Sequence, residues 1–480
     1  MKASHIVLFG MAAGTAAVVI PTRMAGSGPM NPARTNQITF TIWGMPFEDR
    51  LFLDGYAHGY EASHPGVRVD YQRHSDINMK YNAWHARGWG PEVMRIQVPD
   101  YPNMVQRGML EPLDRFIADA ASGLSEAELA TFPKQLLDSM RIDGHIYALP
   151  EDNAVFGLYY NKNLFDAAEM SYPNSSWTWE DLRAAAKSLT KRDASGHVTT
   201  YGLDMQIWQW PFMHFYAQAG GEEWSADGLT TLIAAKAADG SPGPGVMALE
   251  FLHALAYEDH SWEPYFGKDQ GTGPDSRFAN GSVALYLDGS WMAPSFENRN
   301  PSLRFGISLP SRGKTDAVCS GSCLWGISSH ARSKDEGWRM LRWLISPEQA
   351  LRYWDTLRVA PPANTAVVNS SEFRSTHGIA KAGQPGAWEV PPMPESEFPD
   401  RGAWLLDAFK PDPATSRAPS FVPVSLYQRA FEDEVGRMLR EYLESPNGPS
   451  AQAVLDRAAR SIHQVIDRDR GARGLPPVRR

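Results

Sequence analysis

The sequence predicts an α/β protein built on mostly parallel sheets, and three observations predict it. Gln37–Trp43 (QITFTIW) alternates in polarity and is rich in β-branched and aromatic residues, so it reads as a strand. A helical stretch over residues 48–63 stops at His64-Pro65-Gly66, because proline lacks the N–H that a helix needs and glycine suits the turn that follows. VRVDYQ at 67–72 then reads as a second strand. Strand, helix and strand at this spacing form a crossover unit, which joins parallel strands. A chain of 480 residues carries about two to four domains.

Later elements follow from local chemistry. Asp143-Gly144 lies between two short apolar pieces of 140–149 and predicts a hairpin, because both turn residues need positive φ. VFGLYY at 155–160 is an apolar run that predicts a buried strand. In WTWEDL, Thr178 is placed to cap a helix with Asp181 as its reciprocal partner. RFANGSVALYL at 277–287 puts a strand after Asn280-Gly281, and RFGISLP at 304–310 adds a short one. Ser333 and Glu336 predict a capping box for a helix presenting Trp338, Leu341 and Ile345 on one face. Pro347 then starts another helix at its first position. Residues 383–423 are dense in proline and predict an extended excursion; two helices close the chain near 424–443 and 451–467.

Composition excludes several functions. Forty-six basic residues interleave with 55 acidic ones for a net charge of −9, which argues against nucleic acid and against a polybasic membrane anchor. Hydrophobic residues at 43% suffice for a large core without disulfides or metals. Sixteen tryptophans point to an exposed aromatic platform, since a flat ring offers contact area at low entropic cost. Residues 1–36 read as a signal peptide and leader: Lys2, an apolar run over 6–20, then Pro21 and small residues. That run is too short to span a bilayer, and export is expected. Cys319 and Cys323 are the only cysteines and, once exported, are expected to form a local disulfide. No further ligands accompany them, so no metal or other cofactor is expected.

Four segments then resemble, in order, the extracellular solute-binding proteins of bacterial ABC importers, in the class that includes the maltose-binding protein. They are TIWG at 41–44; ALPEDNAVFGLYYNKNLF at 148–165 with the WTWEDL helix start; RFANGSVALYLDGSW at 277–291; and LWGISSHARSKDEGWRMLRWLISPEQA at 324–350. The likeness covers residues 37–360 well, 363–423 poorly and the last two helices moderately. It implies a type II periplasmic-binding-protein fold of two α/β lobes joined by three hinge crossings, near 148–150, 309–311 and 358–362. Residues 37–148 plus 311–358 would form lobe 1, and 149–310 plus 359–480 lobe 2. It also implies a monomer in the periplasm or outside the cell that closes on a mono- or oligosaccharide and delivers it to membrane permease subunits.

Sugar recognition needs flat aromatic faces and planar polar side chains, and in open α/β sheets ligands sit beyond strand ends. That selects Trp43 and Glu48 after the first strand and Gln97 and Asp100 after VMRI. It selects Asp152 and Asn153 at the first crossing, Trp208 and Trp210 in an aromatic run, and Asp288 and Trp291 after a strand. Trp325 and Arg358 complete the ligand-binding set. By the resemblance, Trp291 is the leading platform. No catalytic residue is expected. Ser311-Arg312-Gly313-Lys314 matches a Ser-x-x-Lys string, but Pro310 and Gly313 make it a loop. Adjacent acids such as Glu151-Asp152 do not supply two carboxyls facing across a glycosidic bond. The alternatives left open are a binder of a glycerol phosphodiester or peptide, and a secreted carbohydrate-active enzyme.

Overall fold

The computed structural model describes residues 36–44, 46–267, 273–357, 359–371, 373, 419–421 and 425–479. Its strands are β1 Gln37–Trp43, β2 Arg68–His74, β3 Val93–Gln97, β4 Arg141–Ile142, β5 His145–Ile146, β6 Ala148–Pro150 and β7 Ala154–Asn161. Then come β8 Lys191–Arg192, β9 Val198–Asp204, β10 Val283–Gly289, β11 Phe305–Ser308, β12 Val318–Gly321, β13 Cys323–Gly326 and β14 Pro419–Phe421.

Two open sheets result. The first runs β2-β1-β3-β13-β6 and the second β14-β12-β7-β10-β9-β8, with β11 also on β7. The pairings β1–β2, β1–β3, β9–β10 and β12–β14 are parallel. Strands beside a change of sheet reverse direction: β13 is antiparallel to β3 and β6, and β7 to β10, β11 and β12. Each sheet is therefore mixed where a mostly parallel one was expected.

Period-two alternation divides the apolar residues between sheet faces. On β13, Leu324 joins one core with Met94 and Ile96, and Trp325 joins the other with Phe40 and Phe52. On β7, Phe156 and Leu158 face a core shared with the closing helices Gln428–Leu443 and Ala451–Ala472, while Tyr159 faces the opposite side. Phe431, Val435, Met438, Leu439, Val454 and Leu455 carry the packing of those helices, each buried at helical spacing.

Three chain segments run side by side between the sheets. Glu151 N donates to Cys323 O at 2.8 Å, Asn153 N to Pro361 O at 2.8 Å, and Ala363 N to Glu151 O at 3.0 Å. The second of these crossings was expected near 309–311. Strand pairing instead keeps β12 in the second sheet and puts β13 in the first, so the chain changes sheets at Ser322.

Local signals map onto the structure with two corrections. Asp143 and Gly144 have φ of 52° and 85° in the β4–β5 hairpin, and Thr178 and Asp181 form the reciprocal cap. Ser333 makes no side-chain cap to the helix Lys334–Leu344; the buried Glu92 carboxylate accepts from the N–H groups of Arg332 and Ser333 instead. Cys319 and Cys323 are free thiols, not a disulfide. Cys319 packs in the core of the second sheet, whereas Cys323 opens β13 beyond the crossing, so they sit on opposite sides of the change of sheet. Among the described residues no helix is long and apolar enough to cross a membrane. The signal peptide, Arg358 and most of the proline-rich stretch lie outside the described residues.

Candidate ligand-binding cleft

The junction of the two sheets collects four half-buried tryptophans. Trp208 and Trp210 stack with centroids 5.7 Å apart and planes 5° apart, and Trp291 meets both edge-on at 6.2 and 5.3 Å. The sequence permits this through Gly289, where a Cβ would lie 2.1 Å from the Trp291 ring. Trp291 packs against the main core of each sheet, and Trp210 against both the second-sheet core and the cluster that Trp43 flanks. The indole N–H groups of Trp43 and Trp208 are buried without a hydrogen-bond partner. Such donors suit an acceptor that arrives with a ligand or water.

Beside them the hinge is held by a buried charge cluster. Arg95, on β3 and 2% exposed, donates from Nε to Glu151 Oε2 at 2.7 Å and from Nη1 to Trp43 O at 3.2 Å and Glu48 Oε1 at 3.3 Å. Its guanidinium lies 4.7 Å from the Phe52 ring centroid and 5.3 Å from that of Trp43. Asp152 accepts from Cys323 N at 2.8 Å and from the Tyr353 hydroxyl at 2.6 Å. Glu151, Asp152 and Cys323 bring metal-ligating atoms within 4.8 Å of one another. Arg95 and Tyr353 already engage those carboxylates, so the group works as a clasp.

A cavity of about 440 Å³ opens between the first-sheet helices and the C-terminal pair, lined by Asn78, Asn103, Gln106, Tyr427, Arg429 and Asp433 among others. Arg429 spans it to Asp100, at 2.8 and 2.7 Å, and to Gln97 at 3.0 Å. Gln209, next to Trp210 in sequence, donates to Glu432 at 3.0 Å and ties this cavity to the aromatic group. Among the described residues, the arrangement offers rings, amides, carboxylates and one guanidinium.

The profile described as bacterial extracellular solute-binding protein matches residues 55–381. The chain belongs to that family. Among similar proteins, the lactose-binding protein of Rhizobium radiobacter is 23% identical over 334 residues, 68% of this chain and 72% of its own length. The maltotriose-binding protein of Pyrococcus abyssi (strain GE5 / Orsay) is 22% identical over 354 residues, 72% and 70%. The ABC substrate-binding protein from Listeria monocytogenes, solved with cycloalternan, superposes with a TM-score of 0.72 at 21% identity, covering 90% of this chain and 98% of that one. The two-lobed α/β architecture is thus that of the solute-binding proteins, which are binding proteins and not enzymes.

In this solute-binding protein the structure redistributes the sequence-selected residues. Trp208, Trp210 and Trp291 come together at the junction, Trp43 flanks the same apolar cluster as Trp210, and Gln97 and Asp100 are spent on Arg429 beside the cavity. Five others are corrected. Trp325 is 1% exposed and packs on Phe40 and Phe52, because its position on β13 faces the core. Glu48 is buried and paired with Arg95. Asp152 spends both oxygens within the hinge, and Asn153 is buried beside it. Asp288 is enclosed by the Tyr286 hydroxyl at 2.7 Å and the Gly289 N–H at 2.7 Å. Sequence reasoning missed Arg429, Asn78, Tyr427 and Arg95. A Gln-Arg pair at the head of an amphipathic helix was the signal available for Arg429.

Buried acids give the solute-binding protein a pH signature. Burial raises Glu223 to about 8, Asp288 to about 7 and Asp204 to about 7, whereas burial lowers His214 to about 3. A carboxyl whose folded pKa is raised stabilises fully below its unfolded pKa and loses that contribution as pH rises through the folded value. His214 acts oppositely below its unfolded pKa, but the raised carboxyls, which also include Glu432 at about 7, outnumber it. These buried groups therefore favour the fold most at acidic pH and progressively less as pH rises towards 8. The melting temperature falls by about 5 °C or more towards pH 8.5. Calorimetry across that range tests this, and Glu223→Gln should flatten the decline; a melting temperature that rises from pH 5 to 8 would contradict it.

Proposed function

We propose that this chain captures a carbohydrate between its lobes and delivers it to the membrane permease of an ABC importer. The observation that carries the reading is the junction itself, where Trp43, with its unmet indole donor, and Trp210 pack on the apolar cluster of Tyr81, Met104 and Met109, which also line an amide-rich cavity of about 440 Å³. Rings cover the C–H faces of a pyranose, and amides and carboxylates bond hydroxyls in several directions. Relatives whose names specify lactose and maltotriose support it.

In this reading lobe 1 comprises residues 37–150 plus 323–357, and lobe 2 comprises 154–321 plus the C-terminal helices. The crossings at 151–153, Ser322 and 359–363 form the hinge. Ligand touches both lobes only when they are closed, and that difference in affinity shifts the population towards closure. The protein acts as a monomer in the periplasm or outside the cell.

A thermal-shift screen of the chain lacking residues 1–36, against neutral saccharides, tests the reading. At a hundredfold excess over Kd the melting temperature rises by about 2–4 °C. A shift only with glycerol phosphodiesters or peptides moves the ligand out of the carbohydrate class, and release of sugar products makes the protein an enzyme.

A further inference from the structure

Arg429 reaches from the lobe-2 helix Gln428–Leu443 to lobe 1, and its five N–H groups are unequally used. Nε donates to Asp100 Oδ1, and Nη2 donates to Asp100 Oδ2 and Gln97 Oε1. Asn78 also donates to Asp100 Oδ2, at 2.7 Å. Asp100 is 8% exposed and fully committed to these donors, so it holds the guanidinium rather than offering itself to a ligand. Among the described residues, the carboxylate paired with Nη1 is that of Glu432, at 3.7 Å, which is beyond hydrogen-bonding length. Among the described residues, two N–H groups of a fixed, charged fork therefore have no hydrogen-bond acceptor beside the cavity.

The surroundings decide what they accept. Among the described residues, Asp100, Asp433 and Asp469 line the cavity against Arg429 as its single cation. Asp100 neutralises Arg429, and Asp469 accepts from the Tyr427 hydroxyl at 2.9 Å and pairs with Arg473 at 3.3 Å. Asp433 is exposed, makes no hydrogen bond or ion pair among the described residues, and acts on Arg429 through its charge alone. An incoming carboxylate would enter a site whose uncompensated charge is already negative, and like-charge juxtaposition discriminates strongly.

We propose that Arg429 is the specificity-determining residue of this cleft. Fixed by Asp100 and Gln97, it presents Nη1 to a hydroxyl or ring oxygen of a neutral saccharide, while the carboxylates around it reject uronates. The inference rests on the carbohydrate reading and narrows it to uncharged sugars.

The test is titration calorimetry on the chain lacking residues 1–36. The ligands are a panel of neutral di- and trisaccharides and the C6-oxidised uronate of each. The neutral sugar that binds should exceed its uronate by about tenfold or more. Arg429→Gln and Arg429→Lys should each weaken the neutral sugar about tenfold, because losing a charged donor or its planar fork costs that much. Asp433→Asn, at an exposed position, should narrow the gap between uronate and neutral sugar. A uronate that binds as tightly as its neutral parent overturns the proposal. Unchanged neutral-sugar affinity in a folded Arg429→Gln protein overturns it while leaving the carbohydrate reading intact; no binding of any saccharide removes both.

Discussion

Arg95→Met should destabilise the protein by about 3–5 kcal/mol, the range for removing one partner of a buried ion pair. The large effect comes from what remains. Glu48 and Glu151, 6% and 8% exposed, would keep their carboxylates out of water without the guanidinium that pairs with both. Burial pushes the Glu151 carboxyl up, and Arg95 opposes the rise. Without Arg95 the carboxyl protonates instead of staying charged, which limits the loss at low pH and enlarges it at high pH. Chemical denaturation of both proteins at acidic and mildly alkaline pH measures this. Adding Glu151→Gln to the variant should recover part of the loss, since a neutral amide costs less to bury than a lone carboxylate. A loss below about 1 kcal/mol at both pH values would mean the cluster is open to water. The hinge would then have no charged clasp.

What the sequence disclosed and what it hid divide along the range of the interactions. Gln37–Trp43 could be bounded because alternation is local, and the turn at Asp143-Gly144 because two adjacent residues fix it. Thr178 caps its helix by bonding three residues away, which a string of letters records. The failures are contacts between distant segments. Ser333 does not cap its helix because Glu92, 241 residues away, accepts its N–H. Trp325 looked like a platform because alternation identifies the two faces of a strand without saying which is covered; pairing of β13 between β3 and β6 decides that. The Asp100 position was legible through the resemblance, but its partner Arg429 lies 329 residues on, in a region where the resemblance weakens. The crossing at Ser322 was missed for a related reason: β12 and β13 are nearly continuous in sequence, and only their partners assign them to different sheets.

Trp291→Ala should weaken carbohydrate binding about ten- to a hundredfold, the scale of a buried aromatic anchor at an interface centre. Trp291 is the ring that touches the main core of each sheet, and it stands edge-on to both members of the Trp208–Trp210 stack. Truncating it would remove the surface proposed to face the sugar and free the stacked pair to rotate, so orientation would be lost along with area. Its half-burial keeps the fold cost lower than for a core ring. Trp325→Ala provides the contrast: that indole is enclosed by Phe40 and Phe52, and its loss should cost about 3–5 kcal/mol of stability. The two variants should therefore separate, with Trp291→Ala moving Kd more than melting temperature and Trp325→Ala the reverse. Trp291→Phe should fall between wild type and alanine if ring area carries the effect. Should Trp291→Ala bind the same sugar with wild-type affinity, the ligand does not reach this ring, and the amide-lined cavity beside Arg429 holds it alone.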